Sequence, residues 1–94
     1  MSNKNMKEEI IRKAIKFHLQ GNIPEATKYY KHCINQGFEN HIVLSNYGAI
    51  LHNIGKLQEA ELYYRKAIQI NPNFENAHSN LGTILKEFGK LKEA

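Results

Sequence analysis

Three sets of residues in this 94-residue chain have side chains that do chemistry: five histidines, a His-Cys step, and two asparagines at matched places. Imidazoles bind transition metals, but His18, His32, His41, His52 and His78 include no i, i+4 pair and lack Cys or carboxylate partners at zinc-site spacing. The simpler reading, polar residues at the edge of a groove, is preferred, with His18 and His52 the one pair placed to stand near each other. His32-Cys33 sets a base beside a thiol, yet neighbours on a helix point about 100° apart and do not face each other. Cys33 therefore reads as a small core residue. Asn46 and Asn80 are different. An amide offers donors and an acceptor, so it can pair with both groups of a peptide unit without reading the side chain. That is recognition chemistry. The sequence has no phosphate-cradling Gly-rich loop, nucleophile elbow or facing carboxylate pair, so neither an enzyme nor a cofactor is expected.

What must position the asparagines is a repeat. His41 to Ala60 and Glu75 to Ala94, 34 residues apart, agree at half of their positions, including Ser45/Ser79, Asn46/Asn80, Gly48/Gly82, Leu51/Leu85 and Gly55/Gly89. A fixed period of this length marks a solenoid, whose units bury their apolar faces by stacking on one another. Stepping back one period gives a leader at 1–6, a first unit at 7–40, a second at 41–74 and an incomplete third at 75–94. Gly21, Glu25, Ala26, Tyr29, Tyr30 and Ile34 of the first unit fall in register with Gly55, Glu59, Ala60, Tyr63, Tyr64 and Ile68 of the second.

Within a unit the periodicity is helical. Leu44, Tyr47, Ile50, Leu51 and Ile54 recur at the i, i+3, i+4 rhythm of an amphipathic helix, and Gly55-Lys56 closes it. A second helix runs over Leu57 to Ile70, with Ala60, Tyr64, Ala67 and Ile68 inward, and Asn71-Pro72-Asn73 stops it. Gly48 and Gly82 read as close-approach positions, where a bulky side chain is expected to cost roughly 1–3 kcal/mol.

Tyr47-Gly48, Leu51, Gly55, Ala60, Tyr64, Ala67 and Pro72 occupy positions 7, 8, 11, 15, 20, 24, 27 and 32 of the 34-residue frame, and this pattern resembles the tetratricopeptide repeat. The departures are Ile10, Leu44 and His78 where the family pattern has tryptophan, Lys13-Ala14 for Leu-Gly, and Phe38 for proline. The resemblance implies an all-α, right-handed α-solenoid of helix-turn-helix units, about two and a half repeats, with five full helices and a short C-terminal stub.

The resemblance also implies a concave groove lined by the first helix of each unit. Its expected residues are Ile11, Arg12 and Ile15; then Ile42, Ser45, Asn46, Ala49 and Asn53; then Asn76, Ser79, Asn80 and Thr83. A chaperone-type carboxylate clamp is rejected, because Ile11, Ile15, Asn76 and Asn80 stand at its other positions and supply no cation pair. Asn46 and Asn80 instead resemble the asparagine ladder in the repeats of O-linked N-acetylglucosamine transferase, with Arg12 on the first rung. The implied function is a protein-protein interaction module holding an extended peptide.

Composition agrees with a soluble domain: 41% hydrophobic and 23% charged, with one cysteine and therefore no internal disulfide. Residues 1–9 lack the apolar run of a secretory signal, so a cytoplasmic protein without a membrane span is expected. The net charge of +4 concentrates around Lys4, Lys7, Arg12, Lys13 and Lys16; a solvated helix face is preferred to nucleic-acid binding. The third unit stops at Ala94, just inside its expected second helix. This leads us to expect a fragment of a longer array, or alternatively a self-association module dimerising through Leu81, Leu85, Phe88 and Leu91.

Overall fold

The computed structural model describes the backbone of residues 3–93 and the side chains of residues 6–92. It forms five helices: α1 (Asn3–Leu19), α2 (Ile23–Asn35), α3 (His41–Asn53), α4 (Leu57–Ile70) and α5 (Glu75–Glu93). No helix among the described residues is long and apolar enough to cross a membrane.

The helix ends follow local chemistry. Asn22 Oδ1 accepts the Glu25 N–H at 3.4 Å, and Asn40 Oδ1 accepts those of Ile42 and Val43 at 2.9 and 3.0 Å, satisfying amides that have no intrahelical partner. Gly55 takes φ +84°, which lets the Lys56 and Gly55 N–H groups reach back to the carbonyls of Leu51 and His52. Gly21 and Gly37 close α1 and α2 with the same pair of bonds. Asn71-Pro72 ends α4, as its sequence predicts.

One expected turn is absent. Gly89 stands where Gly55 does in the preceding unit, yet α5 runs through it to Glu93, so the expected stub continues α5. Continuing α5 through Gly89 adds one backbone hydrogen bond per residue with no second nucleation. Ala94 lies outside the described residues, as do Met1 and Ser2; the rest of the expected leader, from Asn3, is the first turn of α1.

The packing follows the period. α1 pairs with α2 and α3 with α4, α3 also contacts α1 and α2, and α5 rests on α4 and α3, giving an elongated body of 54 × 27 × 20 Å. Tyr30 and Tyr64, one from each second helix, are the largest side chains fully withdrawn from water, with Ala26, Cys33, Ala60 and Ala67 beside them. Small residues at these places bring each helix pair close enough for one tyrosine to fill the seam. Gly48 is the closest point. A Cβ there would stand 3.0 Å from Tyr64 Cε1 and 3.4 Å from the Ala60 carbonyl oxygen. The equal expectation for Gly82 is corrected: among the described residues nothing lies within 4 Å of a Cβ at that position, so α4 and α3 pack on α5 elsewhere than at this glycine.

Candidate interaction surfaces

α1, α3 and α5 are the first helices of their units, and they carry the twelve expected groove residues. Arg12, Asn53, Asn76, Ser79 and Thr83 are exposed, as is Ile42, while Ile15, Ala49 and Asn80 are half-buried. Two expectations are corrected. Ser45 is 3% exposed and Ile11 9%, so both pack into the interior and offer no open surface. α3 lies between its neighbours and buries more of its circumference than a helix with one apolar face. The Thr83 hydroxyl turns back onto the Ser79 carbonyl of its own helix at 3.2 Å.

Asn46 is half-buried, and its Nδ2 donates to the Tyr30 hydroxyl at 3.1 Å. His18 Nδ1 meets the same hydroxyl at 2.9 Å. Burial raises the Tyr30 pKa, with the Asn46 hydrogen bond opposing it, and burial lowers that of His18. Both groups are thereby favoured in their neutral forms. The arrangement that satisfies all three residues has the phenol accepting from Asn46 and donating to an unprotonated His18 Nδ1. A side chain expected as a bare rung thus has one N–H committed to fastening α3 onto α2, and keeps its carbonyl oxygen and second N–H. Sequence reasoning placed Tyr30 in the core but missed this junction; the shared 34-residue position of His18 and His52 was its only trace.

His18 and His52 do not pair with each other. His52 Nε2 lies 2.9 Å from Glu87 Oε1, tying α3 to α5. Among the described residues no three His, Cys, Asp or Glu side chains converge to hold a metal ion. Cys33 is fully buried and its thiol pKa is pushed up chiefly by that burial. His32 is exposed.

The four residues expected to self-associate divide. Leu81 and Phe88 are partly covered by the core, whereas Leu85 and Leu91 are 46% and 64% exposed. Leu85, Phe88 and Leu91 line an open cleft of about 590 Å³ whose other wall is Gln58 and Glu61 of α4. Phe88 and Leu91 border a second, of about 430 Å³, over the turn at Gly55–Leu57.

No curated protein matches the chain. Two models of the tetratricopeptide repeat do, one over residues 42–74, from α3 through α4, and one over residues 63–94, from α4 into α5. The paired helices, their glycine-closed turn and these overlapping matches agree, and residues 42–94 belong to the tetratricopeptide repeat family, a non-catalytic protein-interaction module.

Proposed function

We propose that the chain binds an extended peptide or unfolded partner segment along the trough of α1, α3 and α5, with Arg12, Asn46 and Asn80 as main-chain contacts. The observation that carries this reading is the recurrence of asparagine at one place in successive first helices, where Asn is a mediocre helix former. Its likeness to the asparagine ladder of O-linked N-acetylglucosamine transferase repeats supports binding with little sequence preference. Residues 7–40 belong in this reading as the first repeat, since Ala26, Tyr30 and Cys33 occupy the buried places of Ala60, Tyr64 and Ala67.

Hydrogen bonds of about 0.5–1.5 kcal/mol each, two from each of the two asparagine rungs, fall short of the roughly 8 kcal/mol of micromolar affinity. Apolar contact at Ile15 and Ile42 has to supply the difference. A random-peptide display selection tests the proposal, comparing the wild-type chain with Arg12→Ala/Asn80→Ala. Both side chains lie outside the core, so the double variant folds. Peptides enriched on the wild type and lost on the variant support the groove; equal enrichment on both overturns it.

A second reading, favoured by the exposure of Leu85 and Leu91, is self-association through the outer face of α5 into a homodimer. Sedimentation from micromolar to millimolar protein tests it, and a monomer throughout removes it.

A further inference from the structure

The Tyr30 hydroxyl has one hydrogen and two partners, each from a different helix. His18 Nδ1 of α1 lies 2.9 Å from it and Asn46 Nδ2 of α3 lies 3.1 Å from it. Tyr30 is 0% exposed, so the hydroxyl has no route to bulk water. With a neutral imidazole, the phenol donates to Nδ1 and accepts from the Asn46 amide. That fixes which way the amide faces. Nδ2 points inward, and the trough is offered Oδ1 and one N–H, the acceptor and donor that pair with a peptide unit.

A proton on His18 reverses the order of donation. An imidazolium nitrogen only donates, so Nδ1–H gives its hydrogen to the phenol oxygen, and the phenol hydrogen loses its acceptor. A buried donor left unpaired is costly. The acceptor within reach is Asn46 Oδ1, brought round by a half-turn of the amide about its Cβ–Cγ bond. The phenol then donates to Oδ1, and both amide N–H groups turn to the trough.

We propose that His18 and Tyr30 are positioning residues for the Asn46 rung: protonation of His18, passed on through the Tyr30 hydroxyl, turns the amide from one donor and one acceptor into two donors and weakens its hold on a peptide main chain. The hold rests on the trough reading; the turn of the amide does not.

The groups facing His18 suit this control. From α2 it meets Tyr30, whose pKa is raised chiefly by burial, so that it stays a phenol throughout. From α3 comes Asn46, uncharged, on the same hydroxyl. Burial lowers the His18 pKa from 6.5 with no charged neighbour contributing, so the amide turns below that pH and is set for main-chain pairing at neutrality. The next unit lacks the relay. His52, Tyr64 and Asn80 hold the same three repeat positions, but His52 Nε2 lies 2.9 Å from Glu87 Oε1. Burial alone raises the Tyr64 pKa, to about 12, with no hydrogen bond from Asn80. Asn80 is therefore an internal control.

The test follows the side-chain amide signals of Asn46 and Asn80 by NMR in the 94-residue chain, from about pH 7.5 to about pH 5, across the ordinary histidine range. The Asn46 signals are expected to move with the midpoint of the His18 ring signal, and those of Asn80 to stay still. In His18→Gln, which takes up no proton, and in Tyr30→Phe, which keeps the ring in the seam without its hydroxyl, Asn46 stays still as well. A static Asn46 in the wild type, movement that persists in Tyr30→Phe, or unfolding before His18 titrates overturns the proposal. A peptide selected on the wild-type trough is expected to bind roughly two- to tenfold more weakly once His18 is protonated, the loss of one hydrogen bond, with no such step in His18→Gln. Movement of Asn46 with a pH-independent peptide affinity overturns the link to recognition. If no peptide is selected at all, the trough reading fails, and the amide signals still decide the relay.

Discussion

Gly48 of α3 and Tyr64 of α4 meet so closely that a Cβ on the glycine would sit 3.0 Å from the ring, which is itself 1% exposed. The contact sets the separation of the two helices. It also separates two glycines that the sequence makes equivalent, because Gly82 faces open space.

Opposite outcomes follow for the pair. Gly48→Leu is expected to lower stability by about 1–3 kcal/mol through overpacking. Gly82→Ala is expected to raise it by about 0.5–1 kcal/mol, since α5 gains a better helix former without a collision. Urea midpoints for the two variants check both signs, and a loss at Gly82 would mean that the α5 face is already occupied.

Acid should act through His18. Its folded pKa is lowered from 6.5 by burial, so the unfolded chain binds the proton more readily. Stability from this group is present above pH 6.5 and is lost as pH falls toward and through the folded value. A protonated Nδ1 can no longer accept from the Tyr30 hydroxyl. Thermal midpoints between pH 7.5 and 5.5 are expected to fall less in His18→Gln than in the wild type; equal slopes would exclude His18 as the source.

Much of this arrangement was legible in the sequence, for reasons that particular residues show. Gly55 and Pro72 act on their own few neighbours, so the ends of α3 and α4 could be placed without tertiary knowledge. Tyr64 and Ala67 recur at a helical period, which reports the buried face. Gly89 was expected to close a turn as Gly55 does, but glycine permits the left-handed conformation without imposing it, and α5 runs through it. Ser45 and Ile11 were placed in the groove by resemblance, which gives a position in the repeat but not how closely the neighbouring helices cover it in α3 and α1. The bond from Asn46 to Tyr30 joins residues 16 apart on different helices, and no local pattern encodes the reach of a phenol across that seam.

Cys33 is expected to report opening of the α1–α2 pair. It is fully buried, and burial raises its thiol pKa, so little reactive thiolate is present in the folded chain. Reaction with a thiol reagent at pH 8 should be slow in buffer and should accelerate with urea in step with unfolding. Immediate reaction in buffer would place Cys33 at the surface.

The two asparagines separate stability from recognition. Asn46 spends one N–H on Tyr30, so Asn46→Ala removes that bond and is expected to cost about 0.5–1.5 kcal/mol. Alanine also restores some helix propensity, which places the net loss toward the lower end. Asn80 is half-buried on α5, outside the buried core. Asn80→Ala is therefore expected to leave the urea midpoint unchanged or slightly raised, while weakening any peptide selected on the wild-type trough. Measured together, the two variants distinguish a residue that binds from one that also builds. Loss of peptide binding with Asn80→Ala at unchanged stability is the result the groove reading requires, and retained binding with both variants would move recognition to another face of the chain.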